Sequence, residues 1–206
     1  MTPERLVLAT RNDHKLRELA QILEGVELLP LPDDVELPPE TGQSFAANAL
    51  VKARTARSAT GQPAIADDSG IEASALDGRP GVRSARYAGP GASDTENLAL
   101  LIRELREHED RSVAYVCALA YVDEAGREHL FEGRCEGELA RDPRGLGGFG
   151  YDPAFIPRDL DPPDERTMAE LSDSEKHAIS HRGRAARALA VHLGIEVDDP
   201  ARDGRR

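Results

Sequence analysis

Apolar positions along this chain switch between strand-like runs and helical spacing, and the switches mark its elements. RLVLAT (Arg5–Thr10) is a short apolar run fit for a buried strand, and Leu16, Leu19, Ala20 and Leu23 then recur at helical spacing. Asn12 is a good N-cap for that helix and Gly25 a fitting stop. The acidic, proline-rich stretch from Leu29 to Glu40 reads as an exposed connection. From Ser44 to about Ala59 an alanine-rich helix places Phe45, Ala49, Ala53 and Ala56 near one face. PAIADDSG is a second short strand, ending in the carboxylates of Asp67 and Asp68.

Ser93 and Glu96 form a capping-box pattern, and Leu98, Leu101, Ile102 and Leu105 make the stripe of the helix behind it. SVAYVCALAYVDEAGREHLFEGRCEGELA predicts two long strands around a turn at Glu124–Gly126. A last helix is predicted from about Glu175 to Leu193, with Gly194 behind it, and the polar end from residue 196 is expected to be disordered. Residues 1–195 thus read as one domain without internal repeats. Mixed helices and strands around a long central hairpin indicate an α/β fold with a mixed sheet.

Charge narrows the partners. Lys and Arg total 26 against 38 Asp and Glu, a net charge of −12. That argues against a surface gripping nucleic acid, whose affinity comes mostly from neutralised phosphates. A small phosphorylated ligand is compatible, given a local cluster of cations or a bound metal. No apolar run approaches the roughly 18 residues of a membrane span, and no secretory leader is visible, so a cytoplasmic enzyme or binding protein is expected. Cys117 and Cys135 have no neighbouring thiol at metal-ligand spacing and read as buried reduced thiols.

RGLGGFGYDPAF (Arg144–Phe155) contains Gly145-x-Gly147-x-x-Gly150, letter for letter a dinucleotide fingerprint. That fingerprint works only between a buried strand and the helix it opens, because the pyrophosphate sits on the helix N-terminus. Here ARDPR precedes it, and Pro153, Pro157, Pro162 and Pro163 forbid a helix after it. The dinucleotide reading fails on context. A flexible loop remains, with Phe149, Tyr151 and Asp152 between glycines: either a connection whose aromatics enter the core, or a wall for a planar base.

In ATRNDHK, Arg11, His14 and Lys15 crowd the predicted helix start, where a cation is unfavourable by about 0.3–1 kcal/mol. Such crowding makes sense if an anion normally sits there, with free backbone N–H groups as further donors; a solvated turn balanced by Asp13 and Glu18 is the plainer alternative. Asp67 and Asp68 face opposite sides if both keep strand geometry. A carboxylate at a strand end can hold a hard cation or orient a water, and Glu40 is a possible second oxygen ligand. Arg182 falls on the apolar stripe of the last helix and needs a partner, usually an internal carboxylate, otherwise ligand oxygens.

Together these segments resemble the inosine/xanthosine triphosphate pyrophosphatase family. Its motifs occur here in family order, ATRNDHK, ETGQSFAANALVKA, ADDSG with PGVRSARYAG, GGFGYDPAF and AELSDSEKHAISHR, from about Leu6 to Leu193. The resemblance implies a two-lobed α/β fold around a long mixed sheet, an active site in the cleft between lobes, a homodimer, and Mg2+-dependent hydrolysis of ITP, dITP or XTP to monophosphate and pyrophosphate. It implies that Thr10, Arg11, Asn12, Asp13, His14 and Lys15 line the polyphosphate and that Lys52 adds a phosphate contact. Asp68 becomes the essential carboxylate for metal and water, with Ser69 on the substrate and Glu40 a further metal ligand. Phe149, Gly150, Tyr151 and Asp152 hold base and sugar, while Lys176, His181 and Arg182 read the base edge. His177, Met168 and Arg83 depart from the family pattern, which bears on substrate preference rather than reaction class.

Overall fold

A computed structural model describes residues 3–160 and 163–195, so the predicted disorder beyond residue 195 lies outside the described residues. The core is one six-stranded mixed sheet of order β2-β1-β3-β4-β5-β6, with β1 Arg5–Leu8, β2 Glu27–Pro30, β3 Ala64–Ala73, β4 Ser112–Val122, β5 Glu128–Leu139 and β6 Phe155–Pro157. β1 pairs in parallel with β2 and β3, and β5 pairs antiparallel with β6. The helices are α1 Asp13–Ile22, α2 Phe45–Thr60, α3 Asp94–Glu104, α4 Asp173–Ile179 and α5 His181–Leu193. The chain forms two compact units. Among the described residues, one comprises 3–68, 117–133 and 182–195; the other comprises 69–116, 134–160 and 163–181.

In the first unit, Leu6, Leu8, Leu19, Leu23, Ile65, Cys117 and Leu119 are buried together with Ala185, Ala186, Leu189 and Ala190 of α5. The predicted stripe of α1 holds for Leu19 and Leu23, whereas Ala20 is exposed. On α2, Phe45, Ala49, Ala53 and Ala56 are all buried, as their spacing predicts. Ser44 caps the helix by accepting from Ala47 N, and Gly61, at φ 70°, ends it in the left-handed region that glycine tolerates best. The stretch expected to be a connection from Leu29 begins inside β2, whose Leu29 and Pro30 pair with Val7 and Leu8. An edge strand tolerates that proline because one side of its ladder needs no donor.

In the second unit, Leu98, Leu101 and Leu105 join Ile71, Val113, Tyr115, Cys135, Tyr151 and Phe155 in one core. The Ser93–Glu96 capping box forms as read, with both reciprocal bonds present at the start of α3. The single last helix predicted from Glu175 is instead two, broken at Ser180, whose backbone is extended at φ −63° and ψ 149°. Ser172 opens α4 with its own capping box to Glu175.

Both cysteines are fully buried. Burial pushes the Cys117 thiol up to about 12, and the nearby carboxylate of Asp67 adds to it. Because both sulfurs are shielded by full burial and the Cys117 thiol also resists ionisation, neither cysteine is expected to react with a thiol reagent at pH 8 in the folded protein. Both are expected to react once guanidinium unfolds it; labelling of the native protein would show that these sites open.

Candidate active site

The first unit gathers its charged residues around the end of β3. Asp67 and Asp68, successive residues of β3, meet different close partners. Asp67 Oδ2 meets Lys15 Nζ at 2.9 Å and Arg182 Nε at 3.2 Å. Asp68 Oδ2 accepts from Asn48 Nδ2 at 2.8 Å, and its Oδ1 lies 3.8 Å from Lys52 Nζ. Asn48 and Lys52 stand four residues apart on α2 and so share a helix face; both are buried in its alanine stripe. Lys52 Nζ also donates to Glu40 Oε1 at 2.6 Å.

Electrostatics separates the two neighbouring carboxylates. Burial alone would raise Asp67, but Lys15, Arg182 and Lys52 outweigh it and hold the carboxyl far below the usual range. Asp68 goes the other way: burial, with the like charge of Glu40, leaves it above its ordinary value despite Lys52. Lys52 stays protonated, because Asp67, Asp68 and Glu40 outweigh the burial that would discharge it.

These residues fit a magnesium ion in donor chemistry. Glu40 and Asp68 present hard carboxylate oxygens to one cation already, the ammonium of Lys52. The raised Asp68 is a charge that a nearby cation would relieve. Among the described residues no group of three or more His, Cys, Asp or Glu side chains assembles to hold a metal. Magnesium commonly takes only one or two carboxylates and completes its shell with water and substrate phosphates.

The start of α1 differs in part from the expected anion cradle. Asn12 Oδ1 accepts from His14 N at 2.9 Å and Lys15 N at 3.3 Å, so the cap itself engages two of the backbone donors expected to be free. Thr10 Oγ1 accepts from Asn12 N. Arg11 is turned to the segment after β2, donating to the carbonyls of Leu31, Pro32 and Val35. His14 is exposed, its Nδ1 beside Arg17, and Asp13 is exposed in the first turn. Lys15 is the cation of this stretch that the fold draws inward, its side chain only 15% exposed.

In the second unit, the glycine loop is irregular and runs into a short 3-10 turn at Asp152–Ala154 rather than a helix, as its prolines require. Asp152 is its hub. Oδ1 accepts from Tyr115 Oη at 2.9 Å, while Oδ2 accepts from Phe149 N and Lys176 Nζ, each at 2.9 Å. Gly148, at φ 68°, permits this approach: a Cβ there would lie 2.1 Å from Asp152 Oδ2. Lys176 Nζ lies 5.0 Å from the centre of the half-buried Phe149 ring. His181 stacks on Tyr115 with ring centres 4.7 Å apart. Gly150 N donates to Asp94 Oδ2. Ser69, next to Asp68 on β3, is half-buried.

Two expected base-site residues are differently employed. Tyr151 is buried in the core with its hydroxyl donating to Ser84 O at 2.7 Å, so its side chain follows the core alternative for this loop. Arg182 has Nε on Asp67 and Nη1 on Glu18, the internal carboxylates that an inward arginine usually finds. Sequence reasoning passed over Asn48, although a polar residue four before Lys52 on an alanine face was the available signal. It also passed over Tyr115, and weighed Asp67 only as one of two strand-end carboxylates.

The Ham1 family profile matches residues 6–192. The chain is 48% identical over 196 residues to a dITP/XTP pyrophosphatase of Geobacter sulfurreducens, covering 92% of this chain and 96% of that protein. It is 49% identical over 198 residues to a dITP/XTP pyrophosphatase of Mycobacterium tuberculosis, covering 92% and 95%. The solved structure of a HAM1 protein from Coxiella burnetii is similar at a TM-score of 0.83 and 41% identity, covering 92% of this chain and 98% of that one. With a family match over nearly its whole length and relatives at this identity, the chain belongs to the Ham1 family.

Proposed function

We propose that this protein hydrolyses non-standard purine nucleoside triphosphates, ITP, dITP and XTP, to the monophosphate and pyrophosphate. The observation that carries the proposal lies on β3, where adjacent carboxylates gather two lysines, one from α1 and one from α2, into one buried cluster. Its support from outside the chain is near-full-length similarity to proteins named dITP/XTP pyrophosphatase. The homodimeric, cytoplasmic setting implied by the resemblance is part of the same proposal.

Hydrolysis at the α-phosphorus needs charge neutralisation of the polyphosphate, a placed water and a stabilised leaving group. Lys15 and Lys52 supply fixed positive charge to the phosphates. Asp68 orients the water and takes its proton as the water oxygen bonds to the α-phosphorus and the α–β bridging bond breaks. A carboxyl raised by burial accepts a proton more readily than an ordinary one. Mg2+, held by Asp68 and Glu40, would supply the charge that stabilises departing pyrophosphate. The phosphate role extends to Thr10 and Asn12 at the helix start, and Ser69 would touch the substrate beside Asp68.

For the base we assign Phe149 as the stacking face, with Gly150, Asp152, Lys176 and His181 at its polar edge. Hypoxanthine and xanthine present a 6-oxo acceptor where adenine presents an amino donor. Donors built for oxygen are left unpaired by ATP, which costs about 10⁴-fold or more in kcat/KM.

The test is turnover of ITP with Mg2+, products resolved by chromatography, with ATP and GTP in parallel. IMP and pyrophosphate from ITP, with ATP nearly untouched, is the expected result; guanine shares the 6-oxo group, so GTP turnover reads whether the site also refuses a 2-amino group. Inosine diphosphate and orthophosphate would overturn the bond assignment, and tight binding without turnover would make the protein a sensor.

A further inference from the structure

We propose that Asp67 is a positioning residue of the polyphosphate site, holding Lys15 in the orientation that meets substrate; this rests on the phosphate role given to Lys15 above. The side chain of Asp67 is 0% exposed, and one of its oxygens, Oδ2, meets both Lys15 Nζ and Arg182 Nε, at 2.9 and 3.2 Å. Arg182 continues to Glu18 through Nη1, so a single alternating row of charges, Lys15, Asp67, Arg182 and Glu18, links α1, β3 and α5.

Three physical reasons make this row more than packing. Lys15 stands in the first turn of α1, where the helix dipole repels a cation. A flexible four-carbon side chain repelled from that place would extend into water without a counter-charge. Asp67 supplies that charge from beneath, so the ordering of Lys15 is complete before substrate arrives, which is where preorganisation gains affinity. The strand period does the rest. One residue step along β3 delivers a carboxylate to the lysine of α1 and the next delivers one to the lysine of α2.

Acting through Lys15 predicts an effect on substrate capture rather than on the chemical step. Asp67→Asn is expected to raise KM for ITP about ten- to a hundred-fold while kcat changes less than about three-fold. Lys15→Met is expected to do the same, and the double variant to be no worse than Lys15→Met alone, because the two residues form one unit. Calorimetry with inorganic tripolyphosphate reads the site without turnover and is expected to weaken by the same factor in Asp67→Asn. Multiplying KM factors in the double variant, or a collapse of kcat with KM unchanged, would overturn the proposal. If Asp67→Asn does not fold, Glu18→Gln takes its place. Freed from Glu18, Arg182 pulls harder on Oδ2, and KM is expected to rise about three-fold with Lys15 present and not at all with Lys15→Met; equal rises in both backgrounds would overturn it. Wild-type protein assayed alongside separates the causes. Absence of ITP turnover there refutes the activity itself, whereas normal wild-type turnover with independent Asp67 and Lys15 effects refutes only this inference.

Discussion

Asp68→Asn is expected to lower turnover of ITP by about 10²- to 10⁴-fold, the range for removing a general base, while the protein stays folded. The shape of the site supports both halves of that statement. Asparagine keeps an oxygen for the Asn48 Nδ2 donor, so the buried hydrogen bond survives. What disappears is the negative charge, and the fold holds that charge at a cost. Burial and Glu40 raise the Asp68 carboxyl above its unfolded value, so ionising it in the folded state is harder than in the unfolded chain. A raised carboxyl favours the fold only while protonated, below the unfolded pKa, and opposes it as pH climbs through the folded pKa. Neutralising it therefore relieves a penalty at neutral pH. Against this, Lys52 loses one of the three carboxylates that keep it protonated. The two effects offset, and stability at pH 7 is expected to change by less than about 1 kcal/mol, a shift of a few degrees in Tm. The measurements are single-turnover hydrolysis of ITP and thermal melts on the same preparation. Wild-type turnover by the variant would remove Asp68 from the chemistry, and a collapsed melt would mean that the lost rate reports unfolding.

How far the sequence could carry these conclusions depends on the range of each interaction. Signals within a few residues were legible: the Ser93–Glu96 box, the alanine face of α2, the turn between β4 and β5, and the rejection of a dinucleotide turn from the prolines behind Gly150. That Asp67 and Asp68 would stand on a strand was legible too. Their partners were not. Arg182 is 115 residues from Asp67, and Tyr151 is 67 residues from the carbonyl that holds its hydroxyl. No local period encodes such choices. The break at Ser180 escaped for a different reason. The apolar spacing runs on from Ile179 into α5, so periodicity hides the one residue whose backbone turns extended. β2 was missed because its register comes from the neighbouring β1 rather than from a pattern of its own.

Arg182→Ala is expected to destabilise the protein by about 3–5 kcal/mol, the effect of breaking a buried ion pair by removing one partner. For a chain of this size that is a Tm lower by about 6–20 °C. Arg182 is 2% exposed and stands between Asp67 and Glu18. Without it, Asp67 keeps its 0% exposed side chain with Lys15 as its remaining close counter-ion, and Glu18 loses its guanidinium partner. The pH dependence follows from the sign of the Asp67 shift. A carboxyl held far below its unfolded pKa stabilises the fold fully above that unfolded value and loses the contribution as pH falls toward the folded one. The gap between wild type and Arg182→Ala is therefore expected to be full at neutral pH and to narrow below about pH 4, near the unperturbed aspartate value. Adding Asp67→Asn to Arg182→Ala removes the stranded charge and is expected to recover part of the loss. Thermal melts across pH test this, and ITP against ATP turnover of the surviving protein tests the competing role that the family resemblance gives Arg182. A lowered Tm with purine preference intact assigns the guanidinium to the ion network. An unchanged Tm with preference lost would return it to the base edge, and the carboxylates around it would then need another source of charge.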